Sequence, residues 1–190
     1  MPTLQLDYSP GEARERLKQL VKERAYRDGL DIVLTSGKRS TFYINGKKIS
    51  LHPEGLFLLA VLLLEELEAF PEVTAVGGLT LGADPIAAAI TTLSFLRGRP
   101  LSAFLVRKEP KGHGTKNRIE GELEEGQKVA IIEDTITTGK SARVAIEAVQ
   151  EVGAVPACVL ALADREDADA DGFRREFAPR CLFTVSELRS

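Results

Sequence analysis

Along residues 10–25 the apolar positions Ala13, Leu17, Leu20, Val21 and Ala25 recur at helical spacing, with charged residues between them. Ser9 is placed to cap the first turn and Pro10 takes the first helical position, so an amphipathic helix is predicted. The pattern then shortens. Ile32-Val33-Leu34, a Ser36-Gly37 turn, and Ser40-Thr41-Phe42-Tyr43-Ile44 running to Asn45-Gly46 predict short β segments joined by a loop. From Pro53 onward, helical stretches alternate with short apolar runs. Helices are predicted over residues 56–68, 84–96 and 141–152, and strands over 73–77, 101–106, 129–132 and 155–163. Such alternation predicts an α/β fold, a parallel sheet flanked by helices. Its strands are apolar almost throughout, as strands covered on both faces must be. In such a sheet, ligands sit beyond the carboxyl ends of the strands, which makes the residues after each strand the candidates for chemistry.

Two stretches stand outside this alternation. Residues 108–127 are polar, rich in glycine and charge, and longer than an ordinary connection, which is the usual mark of a functional or mobile loop. The acidic run at 164–171 reads most simply as a solvated surface loop. Composition adds exclusions. The 190 residues carry 25 Lys+Arg against 28 Asp+Glu, a net charge of −3, which argues against nucleic acid as the main partner. The longest apolar run, residues 56–64, has nine residues, whereas a membrane span needs about 20. The N-terminus has neither the basic segment nor the apolar stretch of a signal peptide, so a cytoplasmic protein is expected. Cys158 and Cys181 then read as reduced core residues, and the scattered His and Cys give no structural zinc pattern.

The strongest chemical signal is Val129-Ala130-Ile131-Ile132-Glu133-Asp134-Thr135-Ile136-Thr137-Thr138-Gly139-Lys140-Ser141: an apolar strand, two acids, a hydroxyl-rich turn and a helix start. Backbone N–H groups in such a turn form a nest for phosphate, the hydroxyls of Thr137, Thr138 and Ser141 add donors, and Gly139 lets the backbone come close to the anion. Glu133 and Asp134 at the strand end are placed to bond two neighbouring hydroxyls, such as those of a ribose. The ATP-binding loop is excluded, because acids stand where its first glycine belongs. The plain alternative is a tight strand-to-helix turn with a Ser/Thr cap. A second signal lies in the long loop, where Arg107, Lys108, Lys111 and His113 fall within seven residues, with Gly112 and Gly114 between and after them. That many cations suit a pyrophosphate, although a cationic loop taken alone is usually only a solvated surface feature.

The strand, acid pair and loop Glu133-Asp134-Thr135-Ile136-Thr137-Thr138-Gly139 resemble the phosphoribosyl-pyrophosphate (PRPP) signature of type I phosphoribosyltransferases. The segment Arg107-Lys108-Glu109-Pro110-Lys111-Gly112-His113-Gly114, followed by Ile119-Glu120-Gly121, is similar to the catalytic loop of the orotate phosphoribosyltransferase family. Residues 77–87 resemble that family's pyrophosphate-binding loop, with Gly82 where some members carry lysine, so that contacts there fall to main-chain donors. Residues 35–44 are similar to the segment that covers the pyrimidine. Thr35 stands where some members have lysine, with Lys38 and Arg39 as nearby cations.

The resemblance implies a type I phosphoribosyltransferase-like parallel sheet with a small N-terminal hood, all in one domain over residues 1–190. The hood would comprise about residues 1–50 plus the C-terminal segment, and the core about 53–165. It implies transfer of ribose 5-phosphate from PRPP to N1 of orotate, with Mg2+ on the diphosphate and no metal bound mainly by protein. Lys111, His113 and Asp134 become the catalytic candidates. Arg107, Lys108, Glu133, Thr135, Thr137, Thr138, Gly139, Lys140 and Ser141 are expected to bind PRPP, Tyr43 and Ile44 to pack against the base, and Arg165 to meet the orotate carboxylate. It further implies a homodimer with shared active sites. Two alternatives are a PRPP-dependent transferase for another nucleobase and a non-catalytic PRPP-sensing regulator on the same fold. The regulator would be expected to show a basic face or an appended DNA-binding domain, and it would not require the cationic loop.

Overall fold

A computed structural model describes residues 8–33, 39–109 and 118–190. Helix α1 (Pro10–Leu20) starts with Ser9 and Glu12 in a reciprocal capping box, so two backbone N–H groups without intrahelical partners are satisfied. A π-helical turn over Val21–Ala25 continues it into strand β1 (Tyr26–Arg27). Strands β2 (Ile32–Val33), β3 (Arg39–Ser40) and β4 (Tyr43–Ile44) follow, paired β2 with β3 and β1 with β4, both antiparallel. A short helix α2 (Lys47–Ser50) leads into α3 (Pro53–Leu67), which His52 caps by accepting from Gly55 N. Then come β5 (Ala75–Leu79), α4 (Asp84–Leu96), β6 (Ser102–Val106), β7 (Ile119–Glu120), β8 (Lys128–Ile136), α5 (Lys140–Glu151) and β9 (Val155–Asp164). The chain closes with α6 (Asp171–Phe177), β10 (Arg180–Thr184) and α7 (Val185–Arg189).

Six strands form one sheet in the order β10-β9-β8-β5-β6-β7, parallel except for β7, which returns antiparallel along β6. Side chains alternate across it as a pleated strand requires. On one face Val76, Ala130, Ile132, Leu160 and Leu162 join a cluster with α1, α3 and α4. On the other, Ala75, Val129, Ile131, Val159 and Ala161 pack with the apolar side of α5 and with Phe173 of α6. Among the described residues no helix is long and apolar enough to cross a membrane.

Four features depart from the sequence expectations. Strand β8 does not stop at Ile132 but runs to Ile136, because β9 beside it pairs through Asp164 and carries the ladder past the acids. The C-terminal segment is not only hood: β10 pairs parallel with β9 and extends the sheet beyond residue 165. The acidic run is not wholly solvated. Asp164 and Arg165 are buried, and Asp164 accepts from Arg174 Nη1 at 2.9 Å. The long polar stretch is also shortened by β7, which returns it to the sheet edge.

Candidate active site

Strand order reverses between β5 and β8: from β5 the chain moves outward to β6, then returns to lay β8 on the other side. Their carboxyl ends diverge, leaving a crevice of the kind parallel sheets use for ligands. A cleft of about 620 Å³ opens beyond the carboxyl ends of the neighbouring strands β8 and β9, under the hood. The hood supplies one wall through Arg39, Tyr43, Ile44 and Lys47, and the sheet supplies the other through Asp134, Thr135, Thr137, Thr138 and Arg165. A smaller notch adjoins it at the start of α5, lined by Glu133, Thr135, Thr137, Gly139, Lys140 and Ser141.

Both acids are buried in β8. Desolvation pushes the Glu133 carboxyl up to about 8, and the neighbouring Asp134 charge and hydrogen bond act in the same direction. Asp134 has a counter-charge, since the Lys47 ammonium donates to its Oδ2 at 2.8 Å. Residues 46 and 82 approach the pair as backbone. A Cβ on Gly46 would lie 2.9 Å from Asp134 Cβ, and one on Gly82 would lie 3.0 Å from Glu133 Oε1. At the start of α5 the conformation and packing of the backbone themselves call for a glycine at 139. Its φ is +75°, and a Cβ would fall 2.3 Å from Phe173 Cγ, so Phe173 on α6 occupies the space a side chain would take.

Arg165 follows β9, and its N–H bonds to the Ile136 carbonyl at 3.0 Å, which ties it to the end of β8. Its side chain is buried, with the guanidinium carbon 4.8 Å from the Phe42 ring centre. Nε lies 3.2 Å from an Asp167 carboxylate oxygen, close enough for charge pairing but not aligned as a hydrogen bond. Nη2 has no hydrogen-bond partner among the described residues. A buried guanidinium left with donors to spare at a cleft wall is equipped to receive a planar anion. Arg189 of α7 reaches the same aromatic, 4.9 Å from its ring centre, and also donates to Tyr26 Oη, Asp28 and Thr41. The C-terminal helix thereby fastens the hood wall.

The fold thus brings together Tyr43, Ile44, Asp134, Thr135, Thr137, Thr138 and Arg165 in the cleft, with Glu133, Gly139, Lys140 and Ser141 in the adjoining notch. Ile44 is mostly spent in the core, whereas Tyr43 stays exposed. Arg107 and Lys108 are exposed and do not line the cleft, and Arg107 Nε pairs with Glu120 at 2.7 Å. Lys111, His113, Thr35 and Lys38 lie outside the described residues. Lys47 went unnoticed in the sequence because nothing in a Gly-Lys-Lys turn points to an aspartate 87 positions later.

No protein-family model matches the chain. It is 43% identical over 180 residues to an orotate phosphoribosyltransferase of Synechocystis sp., an alignment covering 94% of this chain and 89% of that one. Its structure is similar to orotate phosphoribosyltransferase of Mycobacterium tuberculosis H37Rv in complex with Fe(III) dicitrate, at a TM-score of 0.78 and 38% identity over 93% of this chain and 98% of that one. It is likewise similar to the same enzyme in complex with PRPP, at a TM-score of 0.73 and 34% identity over 94% and 99% of the two chains.

Proposed function

The chain belongs to the orotate phosphoribosyltransferase family, and from that premise we infer that it transfers ribose 5-phosphate from PRPP to N1 of orotate, giving orotidine 5′-monophosphate and pyrophosphate in pyrimidine (UMP) synthesis. The observation that carries the choice of base is Arg165, a buried guanidinium with an unpartnered nitrogen in the same cleft as the strand-end acid and the threonine-rich turn. Orotate presents a planar carboxylate that a guanidinium meets with two parallel hydrogen bonds, whereas uracil, adenine and hypoxanthine have none.

The remaining roles follow from placement. Thr137, Thr138 and Ser141, with the N–H groups at the start of α5, hold the 5-phosphate, and Lys140 adds charge beside it. Asp134 and Glu133 take the ribose hydroxyls. A Glu133 kept protonated by burial can donate as well as accept there. Tyr43 and Ile44 wall the base. As the C–O bond to pyrophosphate breaks, positive charge grows on the ribose and negative charge on the leaving group, and cations closing on the latter stabilise what exists most fully in the transition state. Arg107, Lys108, Lys111 and His113 serve that end, with Lys111 or His113 giving a proton to the departing pyrophosphate. The charge of orotate sits on its carboxylate, so as the bond from N1 to the ribose forms, the N1 proton leaves to solvent or to the departing pyrophosphate.

Mg2+ suits this donor set when it is held mainly by diphosphate oxygens and water, and bound there it neutralises charge on the leaving group. Among the described residues no three His, Cys, Asp or Glu side chains gather into a cage for it. We propose further that the enzyme is a cytoplasmic homodimer whose loop, residues 108–121, closes over the partner's PRPP. An apolar groove between α3 and α4, lined by Leu56, Phe57, Pro85, Ala88 and Leu93, supports association of two copies. Incubation with PRPP, Mg2+ and each of orotate, uracil, adenine and hypoxanthine tests the assignment. Pyrophosphate release with orotate alone is expected, and turnover of a base without a carboxylate at a comparable rate would overturn it.

A further inference from the structure

The acidic end of β8 is met from the hood by one short turn. Gly46 lies so close over it that a Cβ there would sit 2.9 Å from both Asp134 Cβ and Thr135 Oγ1, and the next residue places its ammonium on Asp134 Oδ2 at 2.8 Å. From the other side Gly82 faces both carboxylates with backbone only, a Cβ there falling 3.0 Å from Glu133 Oε1 and 3.2 Å from Asp134 Oδ1. Among the described residues Lys47 is therefore the cation in contact with this pair. Its side chain is 47% exposed against 12% for Asp134, so a mobile, solvated charge is anchored on a fixed, buried one. Lys47 also lines the cleft itself.

A buried carboxylate without a counter-charge is costly, and Lys47 is the counter-charge that Asp134 has. We propose that Lys47 is a positioning residue for phosphoribosyl transfer: by pairing with Oδ2 it fixes the orientation of the Asp134 carboxylate at the cleft wall, where that carboxylate accepts from a ribose hydroxyl. It acts through Asp134 and not on the reacting atoms, an inference that rests on the assignment of Asp134 to the ribose. Burial works against the ammonium, yet the Asp134 hydrogen bond and charge, aided by Glu133, outweigh it and hold the lysine above its ordinary value.

A double-mutant cycle separates this role from a structural one. PRPP with Mg2+ is titrated calorimetrically into wild type, Lys47→Met, Asp134→Asn and the double variant, and kcat and KM are measured for each. Lys47→Met is expected to weaken PRPP about tenfold with kcat moved less than about threefold, and to add almost nothing once Asp134 is Asn. Lys47→Gln, which keeps a donor without the charge, should behave like Lys47→Met should the latter fold poorly. Lys47→Arg should recover most of the affinity, and Lys48→Met, the same charge change one residue on, should leave PRPP binding within about twofold. Equal losses in both Asp134 backgrounds, no loss in the wild-type background, an arginine variant as weak as the methionine, or an equal loss from Lys48→Met would each overturn the positioning role. An Asp134→Asn protein that binds PRPP as tightly as wild type would instead overturn the ribose assignment beneath it, so the two failures are distinguishable.

Discussion

Two side chains in the cleft have unusual surroundings, and each leads to a measurement. The Arg165 guanidinium is buried, rests on Phe42 and keeps Nη2 unpartnered among the described residues. Arg165→Ala should weaken orotate by about 1.5–3 kcal/mol, the worth of a hydrogen bond to a charged group, while PRPP affinity changes far less. Parallel titrations of the two ligands check this, and equal losses would make the arginine structural. Glu133 is the second case. Burial raises its carboxyl from 4.5 to about 8 in the folded chain. Between those values the folded state binds more protons than the unfolded state, so this group lowers stability as pH rises through the window. Glu133→Gln removes that dependence, and the variant should gain stability relative to wild type between about pH 5 and about pH 8 in urea unfolding. A constant difference across that range would show that the carboxyl titrates normally.

At the scale of elements, the site depends on how α5 starts and on what α6 and α7 press against it. Gly139 begins α5 with a positive φ, and the Phe173 ring fills the volume next to its Cα. Gly139→Ala therefore meets both a strained backbone and an overlap with an aromatic ring anchored in the apolar cluster beneath α5. A loss of about 1–3 kcal/mol in stability is expected, together with weaker PRPP binding because the turn around Thr137 and Thr138 must shift. Unfolding midpoints and PRPP titration measure the two effects, and a variant as stable as wild type would remove the packing argument. The helix α7 works by contact with the hood. Arg14 donates to Glu187 at 2.8 Å, and Arg189 grips Tyr26, Asp28 and Thr41, so the far end of the chain braces the wall that Tyr43 and Ile44 present to the cleft.

At the scale of the whole molecule, Arg107 and Lys108 stand exposed after the carboxyl end of β6, and neither lines the cleft of its own chain. That placement supports a loop working across two copies, and subunit mixing tests it. Lys111→Ala and Asp134→Asn dimers should each be nearly inactive. Refolded together, half of the dimers are hybrids with one of two sites intact, so about a quarter of wild-type activity should return if pairing is unbiased. Activity that stayed at the level of the parents after verified exchange would assign the loop to its own subunit.

The alternation of helical and apolar stretches was enough to establish a covered parallel sheet, because burial on both faces leaves a continuous apolar signature in each strand. The acid pair and the hydroxyl-rich turn were legible for a similar reason: a strand end, a nest and a helix start are contiguous in the chain, so residues 133–141 carry their chemistry in their own order. What depends on distant contact was not legible. The extension of β8 to Ile136 is dictated by β9 alongside it, the requirement for Gly139 by Phe173, and the counter-charge of Asp134 by a hood lysine. Likewise β10, Arg180–Thr184, takes its place at the sheet edge by pairing with β9. Local propensity and spacing are properties of neighbours in sequence, whereas register, desolvation and charge pairing arise when the sheet closes against the hood, and only the tertiary structure decides them.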